Sequence, residues 1–425
     1  MSPSEIMARL RVAAVLLSMG LLSACTGPAA QPTATPIVHG ATLPPAAPAP
    51  THPAAAAIEE TSQVNLDDRH AIKPLGLFGE QDDPASPRTS PLDTPDNLRQ
   101  VTFAGEGSDF DPDIDPKGQW IAFASTRHRA TSDIYLQRVG GTAVTQVSHD
   151  PGNDVMPAFS PDGKRIAFAS DRSGNWDLYL QEIGGGQPIK LTDSPTSDLH
   201  PSFSPDGTKL VYCSYGAQSG QWELVVIDLQ RPQDRRFLSH GLFPNWSPKG
   251  DKIVFQRSRA RGTRWFSVWT LDIDAQGNAV RPTEIAASRN AAAITPHWSP
   301  DGQYLAFCTV LDPQNQKQER PSQADIWITT ADGRGRVNLT NSPFASVQPV
   351  WAPDGTIYFV ANRAPQGVEN IWSIRADRAT LALGPAGGAD NAAAAVVRKA
   401  AAPDESQPIN AVRDAAPATA AAQIP

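Results

Sequence analysis

The sequence predicts an all-β fold, a six-bladed β-propeller with four-stranded blades, and three observations carry that prediction. A seven-residue unit recurs six times in one register: Pro112-Asp-Ile-Asp-Pro-Lys-Gly118, Pro157-Ala-Phe-Ser-Pro-Asp-Gly163, Pro201-Ser-Phe-Ser-Pro-Asp-Gly207, Pro244-Asn-Trp-Ser-Pro-Lys-Gly250, Pro296-His-Trp-Ser-Pro-Asp-Gly302 and Pro349-Val-Trp-Ala-Pro-Asp-Gly355. Successive copies start 45, 44, 43, 52 and 53 residues apart, the length that four short strands and their turns consume. No Phe, Trp or Tyr precedes Phe78 or follows Trp372. The side chains that bury the most apolar area therefore lie in one block of the 425-residue chain.

Ahead of that block, Arg9 and Arg11 precede the apolar run Val12–Leu22, which has the length of a signal-peptide core and about half that of a membrane span. The run ends in Leu22-Ser-Ala-Cys25, which resembles the lipobox of bacterial lipoproteins. That resemblance implies a signal peptide over residues 1–24 and a lipidated Cys25 as the first residue of the mature chain. Two or three acyl chains would make a durable membrane anchor. Residues 25–95 are rich in Pro, Ala, Thr and Asp without apolar periodicity and read as a disordered tether. As a flexible chain the tether would reach about 45 Å r.m.s..

Within the propeller region, residues 96–378, each copy decodes in the same way. In the second, a strand at Met156–Ser160 leads into Ser-Pro-Asp-Gly, which suits a type I turn followed by a left-handed Gly. Strands at Ile166–Ser170 and Asp177–Gln181 follow, and a fourth ends in Ile189-Lys-Leu-Thr192. This ending recurs as Gln146-Val-Ser148, Phe237-Leu-Ser239 and Asn338-Leu-Thr340, with a degenerate Glu284-Ile-Ala286. The last copy has none after Ile371-Trp-Ser-Ile374, whereas Leu98–Thr102 stands alone before the first. That orphan strand is expected to complete the sixth blade and leave no open edge. Residues 379–425, dominated by Ala, Pro, Asp and Gly, read as a disordered tail.

Over roughly residues 97–376 the repeats resemble the WD40-like (PD40) repeats of the TolB family, the periplasmic propeller of the Tol-Pal system. The resemblance implies a protein-binding platform rather than an enzyme, with a peptidoglycan-associated lipoprotein as partner, and Thr26 rather than Asp after Cys25 points to the outer membrane. TolB proteins carry an N-terminal α/β domain linked to TolA coupling; here an anchor and tether hold that place. The alternatives from other classes are a propeller enzyme, a lyase or hydrolase acting on extracellular glycan, and a structural or sensory lipoprotein. No Gly-x-Ser-x-Gly elbow, His-Glu-x-x-His or phosphate loop occurs. Net charge is −8, with 36 basic against 44 acidic residues, which argues against nucleic acid as a partner.

The candidate site is the face where the loops between strands two and three, and between blades, surround the channel. Asp109, Asp154 and Asp198 each lie three residues before a repeat proline, where the other blades carry Gly241, Ala293 and Ser346. They form either a half-ring of carboxylates, with His200, that receives a basic peptide or a hydrated cation such as Ca²⁺, or caps on their own turns. His149, His200, His240 and His297 occupy unmatched offsets, so no histidine metal site is expected. Arg257, Arg259, Arg261 and Arg264 make a basic loop in blade four that reads as a dock for an acidic partner or as a solvated loop. Asp133, Asp177, Glu223 and Asp325 open third strands in register and are expected to hold neighbouring turns. Cys213 and Cys308, in blades about 120° apart, are expected to be buried free thiols.

Overall fold

The computed structural model describes residues 97–258, 265–288, 291–311, 323–363, 367–377 and 383. The expected signal peptide, Cys25, the expected tether and the expected tail, Leu383 excepted, lie outside the described residues, as do Arg259, Arg261 and Arg264. Six four-stranded antiparallel sheets form the six blades. Blade 1 comprises β2 (Asp109–Ile114), β3 (Trp120–Ser125), β4 (Asp133–Arg138) and β5 (Val144–Gln146); blade 2 comprises β6 (Asp154–Phe159), β7 (Arg165–Ser170), β8 (Asp177–Glu182) and β9 (Ile189–Lys190). Blade 3 is β10 (Asp198–Phe203), β11 (Lys209–Tyr215), β12 (Trp222–Asp228) and β13 (Arg231–His240), and blade 4 is β14 (Leu242–Trp246), β15 (Lys252–Ser258), β16 (Phe266–Ile273) and β17 (Ala279–Ala286). Blade 5 is β18 (Ala291–Trp298), β19 (Tyr304–Leu311), β20 (Ala324–Thr330) and β21 (Arg336–Asn338).

The sixth blade has three strands of its own, β22 (Ser346–Trp351), β23 (Thr356–Ala361) and β24 (Asn370–Arg375), and takes its fourth, β1 (Leu98–Gln100), from the start of the domain. Leu98 pairs with Ile374 and Gln100 with Trp372. The orphan strand therefore closes the ring as its sequence predicts, and the unpaired edge of β24 disappears.

The second strand of each blade is packed on both faces, which explains why it reads as a continuous apolar run instead of an alternating one. At one equivalent position these strands place Phe123, Phe168, Tyr212, Phe255, Phe307 and Phe359, all completely enclosed. The Ser-Pro-Asp-Gly turns also form as expected: Gly163 N–H donates to the Ser160 carbonyl at 2.8 Å, and Gly163 takes φ 68°. Ser160 Oγ accepts from Arg165 N–H at 2.9 Å, fastening the far side of the turn.

The innermost strands carry a feature that local preference does not forecast. Between the first and second strands of every blade the register shifts, as between Phe110 and Asp113 or between Leu199 and Ser202. At each shift the residue before the repeat proline is left-handed: Asp111, Met156, His200, Phe243, Thr295 and Gln348 have φ between 48° and 56°. A residue before proline ordinarily prefers extended backbone, and a non-Gly residue pays about 1–2 kcal/mol to be left-handed. Repetition around the ring identifies these bulges as a built feature of the channel wall.

Candidate functional site

On the loop face, the three predicted carboxylates are fully enclosed. Asp109 accepts Ser125 Oγ at 2.7 Å and takes Arg127 Nη2 on both oxygens at 2.8 Å. Asp154 is held the same way by Arg172 Nη2 at 2.9 and 3.0 Å. Asp198 accepts Ser214 Oγ at 2.6 Å and Arg235 Nη2 at 3.1 Å. Burial pushes the Asp154 and Asp198 carboxyls up, while the hydroxyls and arginines pull them back. The half-ring expected to meet a basic peptide or Ca²⁺ is thus occupied by the protein's own cations, blade by blade. Among the described residues no group of three or more His, Cys, Asp or Glu converges as a metal site. Asp109 and Asp154 tie the loop after strand two to the head of strand one, whereas Asp198 ties strand two and Arg235 of strand four to it.

The remaining sequence candidates fall into place around that face. Arg257, the described member of the basic cluster, lies within β15 rather than in the expected loop, over the Trp269 ring at 3.9 Å. Asp177 receives Lys190 Nζ at 3.0 Å, Asp133 receives Arg129 Nε at 2.6 Å, and Asp325 receives Ser342 N–H at 3.1 Å, so these acids hold turns as predicted. Glu223 accepts Ser219 Oγ at 2.6 Å, closing its own hairpin loop. Cys213 and Cys308 are buried free thiols, and burial pushes both up.

The channel cavity that the structure describes opens on the opposite mouth, the face of the Ser-Pro-Asp-Gly turns. Its volume is about 460 Å³, within the range of ligand pockets. Its deep end is the ring of left-handed residues, and its rim is the proline of each turn, from Pro116 to Pro353. Of the predicted site residues only His200 lines it. His200 packs against Phe243 with ring centroids 3.7 Å apart and planes tilted by 45°; neither ring nitrogen has a partner, and burial lowers its pKa to about 3, leaving the imidazole neutral. His297 also lines the cavity, with Nδ1–H donating to the Trp298 carbonyl at 2.9 Å and a pKa lowered by burial to about 4.

Asp111 and Asp113 are the wall residues that the sequence candidates omit. Asp111 accepts Met156 N–H at 3.2 Å and is bridged by Gln348 Nε2. Asp113 accepts Phe159 N–H of the next blade at 2.7 Å, and burial pushes its carboxyl up to about 7 against the pull of the Phe159 and Ile114 amides. Equivalent bonds between blades run from Trp246 N–H to Ser202 Oγ at 3.0 Å and from Trp298 N–H to Asn245 Oδ1 at 3.0 Å. Asp115 is spent within its turn, accepting Trp120 N–H at 2.6 Å. The signal for this cluster is present in Asp109-Phe-Asp-Pro-Asp-Ile-Asp115, four acids alternating along one innermost strand.

Residues 91–284 match the TolB beta propeller domain. Over those residues the propeller is similar to that family. The Tol-Pal system protein TolB of Anaeromyxobacter dehalogenans is 30% identical over 135 residues, 31% of this chain and 27% of that protein. The chain thus spans about a quarter of the length of the curated TolB relatives it first matches. A protein TolB homolog of Chlorobium luteolum is 51% identical over 43 residues, 10% of each chain. The crystal structure of TolB from Acinetobacter baumannii is similar at 17% identity and a TM-score of 0.47, over 61% of this chain and 64% of that one.

Proposed function

We propose that the chain is a lipid-anchored, periplasm-facing platform of the bacterial envelope that binds another protein through its TolB-type propeller. The observation that carries the reading is the TolB propeller-domain match over residues 91–284 on a ring that closes on itself through β1. Cys25 anchors the protein in the outer membrane, residues 26–95 tether it, and the propeller presents its channel to a peptidoglycan-associated lipoprotein. The propeller acts by shape and charge rather than by catalysis. Its loop face is braced by buried ion pairs, and its turn face is a cavity walled by proline and aromatic side chains.

The test is a pull-down from solubilised envelopes with the full-length chain carrying a C-terminal tag, its partners identified by mass spectrometry. Metabolic palmitate labelling of the same chain and of Cys25→Ser runs beside it. Capture of a peptidoglycan-associated lipoprotein, with label lost in the variant, is the expected result. Empty eluates refute the platform, and label that survives in Cys25→Ser refutes the anchor.

A further inference from the structure

We infer that the cavity on the turn face is a receptor for a guanidinium group, an arginine side chain carried on a partner polypeptide. This deepens the platform reading and rests on it.

The chemistry of the wall selects the group. Asp111 and Asp113 bring carboxylates to one side of the cavity, and no Lys or Arg is among its described lining residues. Among the described residues Asp113 has no ion-pair partner, its carboxyl being met by the Phe159 and Ile114 amides. Elsewhere on the wall three further groups have unsatisfied hydrogen-bonding capacity, one of them the Trp298 indole Nε1–H. His200, 9% exposed, has both ring nitrogens unpartnered, and Thr295, 8% exposed, has an unpartnered Oγ1. A buried polar atom without a partner is costly, and all three are cavity-lining residues. Carboxylate, hydroxyl and neutral imidazole can all accept a hydrogen bond. A wall that carries two carboxylates, further acceptors and no Lys or Arg among its described residues fits a cationic ligand that donates hydrogen bonds.

Two features favour guanidinium over ammonium. Arginine presents five N–H donors in a planar fork, which several separated acceptors can share, whereas lysine presents a compact point charge. The rim also carries Trp246, Trp298 and Trp351, and a planar cation stacks on such faces. At about 460 Å³ the cavity admits one long side chain together with the backbone that bears it.

The experiment is a calorimetric titration of the full-length chain at pH 8 with four probes: acetyl-Gly-Gly-Arg-Gly-Gly-amide, its citrulline and lysine counterparts, and free arginine. The arginine peptide is expected to bind saturably. Citrulline, the same shape without charge, should bind at least tenfold more weakly, and lysine at least threefold more weakly. Free arginine should also be weaker, because its own carboxylate faces Asp111 and Asp113. Asp113→Asn is expected to weaken the arginine peptide at least tenfold. Absence of saturable arginine-peptide binding, equal binding of citrulline or lysine, tighter binding of free arginine, or an Asp113→Asn chain that binds like the parent each overturns the assignment. None of these outcomes depends on whether envelope proteins are captured, so the two readings fail separately.

Discussion

Blades 1 to 3 and blades 4 to 6 meet the same packing requirement with different side chains. In the first three, an enclosed aspartate heads the innermost strand and is neutralised by Arg127, Arg172 or Arg235. In the last three, Gly241, Ala293 and Ser346 stand there, and bulk replaces charge. A Cβ on Gly241 would come within 2.5 Å of the Phe255 ring, so this blade packs its aromatic into the space the acid uses elsewhere. Two residues after the repeat proline, Ile114, Phe159 and Phe203 give way to Trp246, Trp298 and Trp351. The halves therefore differ at both ends of the innermost strand, an ion pair or a small residue at the loop face and a smaller or larger apolar side chain at the turn face.

The two halves share one sheet, blade 6, and the largest expected effect lies there. Removing residues 98–102 takes β1 from β24 and leaves a long unpaired edge, so the shortened chain should aggregate or lose cooperative unfolding. Removing residues up to 95 should leave the melting temperature within about 2 °C, because the ring keeps every strand it uses. Size-exclusion profiles and calorimetry of both chains decide this, and a monomeric, cooperatively melting protein without residues 98–102 would mean that closure is not what joins the halves.

A smaller effect separates the charge-braced half from the other. Asp154→Ala leaves the Arg172 guanidinium, 18% exposed, without its main enclosed partner, and breaking a buried pair costs about 3–5 kcal/mol. Ser346→Ala, at the equivalent place in blade 6, should cost under about 1 kcal/mol, as no ion pair is lost. Ala293→Asp should be as damaging as Asp154→Ala. It buries a carboxylate where Leu311 stands in place of an arginine. Denaturant unfolding of the three chains measures the contrast; similar losses at positions 154 and 346 would show that the ion pairs add nothing specific to the first half.

Much of this is legible in the sequence, and the boundary has a physical cause. Blade number, turn type and ring closure are readable because each depends on local chemistry repeated in register: Ser, Pro and Gly at fixed turn positions, and a fourth-strand ending missing from one end and spare at the other. The aspartates on the loop face were visible as a pattern, but their role depends on partners 18 or 37 residues away across a sheet. Ser125-Thr-Arg127 and Ser170-Asp-Arg172 carry the matching signal, in register two residues past strand two. The left-handed ring was not legible, because local preference before proline favours extended backbone and only closure of the channel imposes the bulge. The cavity therefore lies at the mouth that strand-and-loop reasoning passed over.

The finest contrast between the halves is at Asp113, whose counterpart in blade 4 is Asn245. Both accept a backbone N–H from the next blade, Phe159 at 2.7 Å and Trp298 at 3.0 Å; Asn245 does so without charge. Asp113→Asn thus keeps the bond and removes only the ionisation. Burial raises the Asp113 carboxyl to about 7, above the unfolded value of about 4. The folded chain keeps this proton through a range in which the unfolded chain has released it. Stability contributed by the protonated group is complete below about pH 4 and is lost as pH rises to about 7. The variant cannot lose it. Asp113→Asn should therefore match the parent near pH 4 and exceed it by about 1–2 kcal/mol at pH 8, a fraction of the full shift because the carboxyl borders an open cavity. Melting curves of both chains from pH 4 to 8.5 give the difference directly. A constant offset across that range would mean that position 113 contributes only its hydrogen bond, and that blade 1 and blade 4 differ there in name alone.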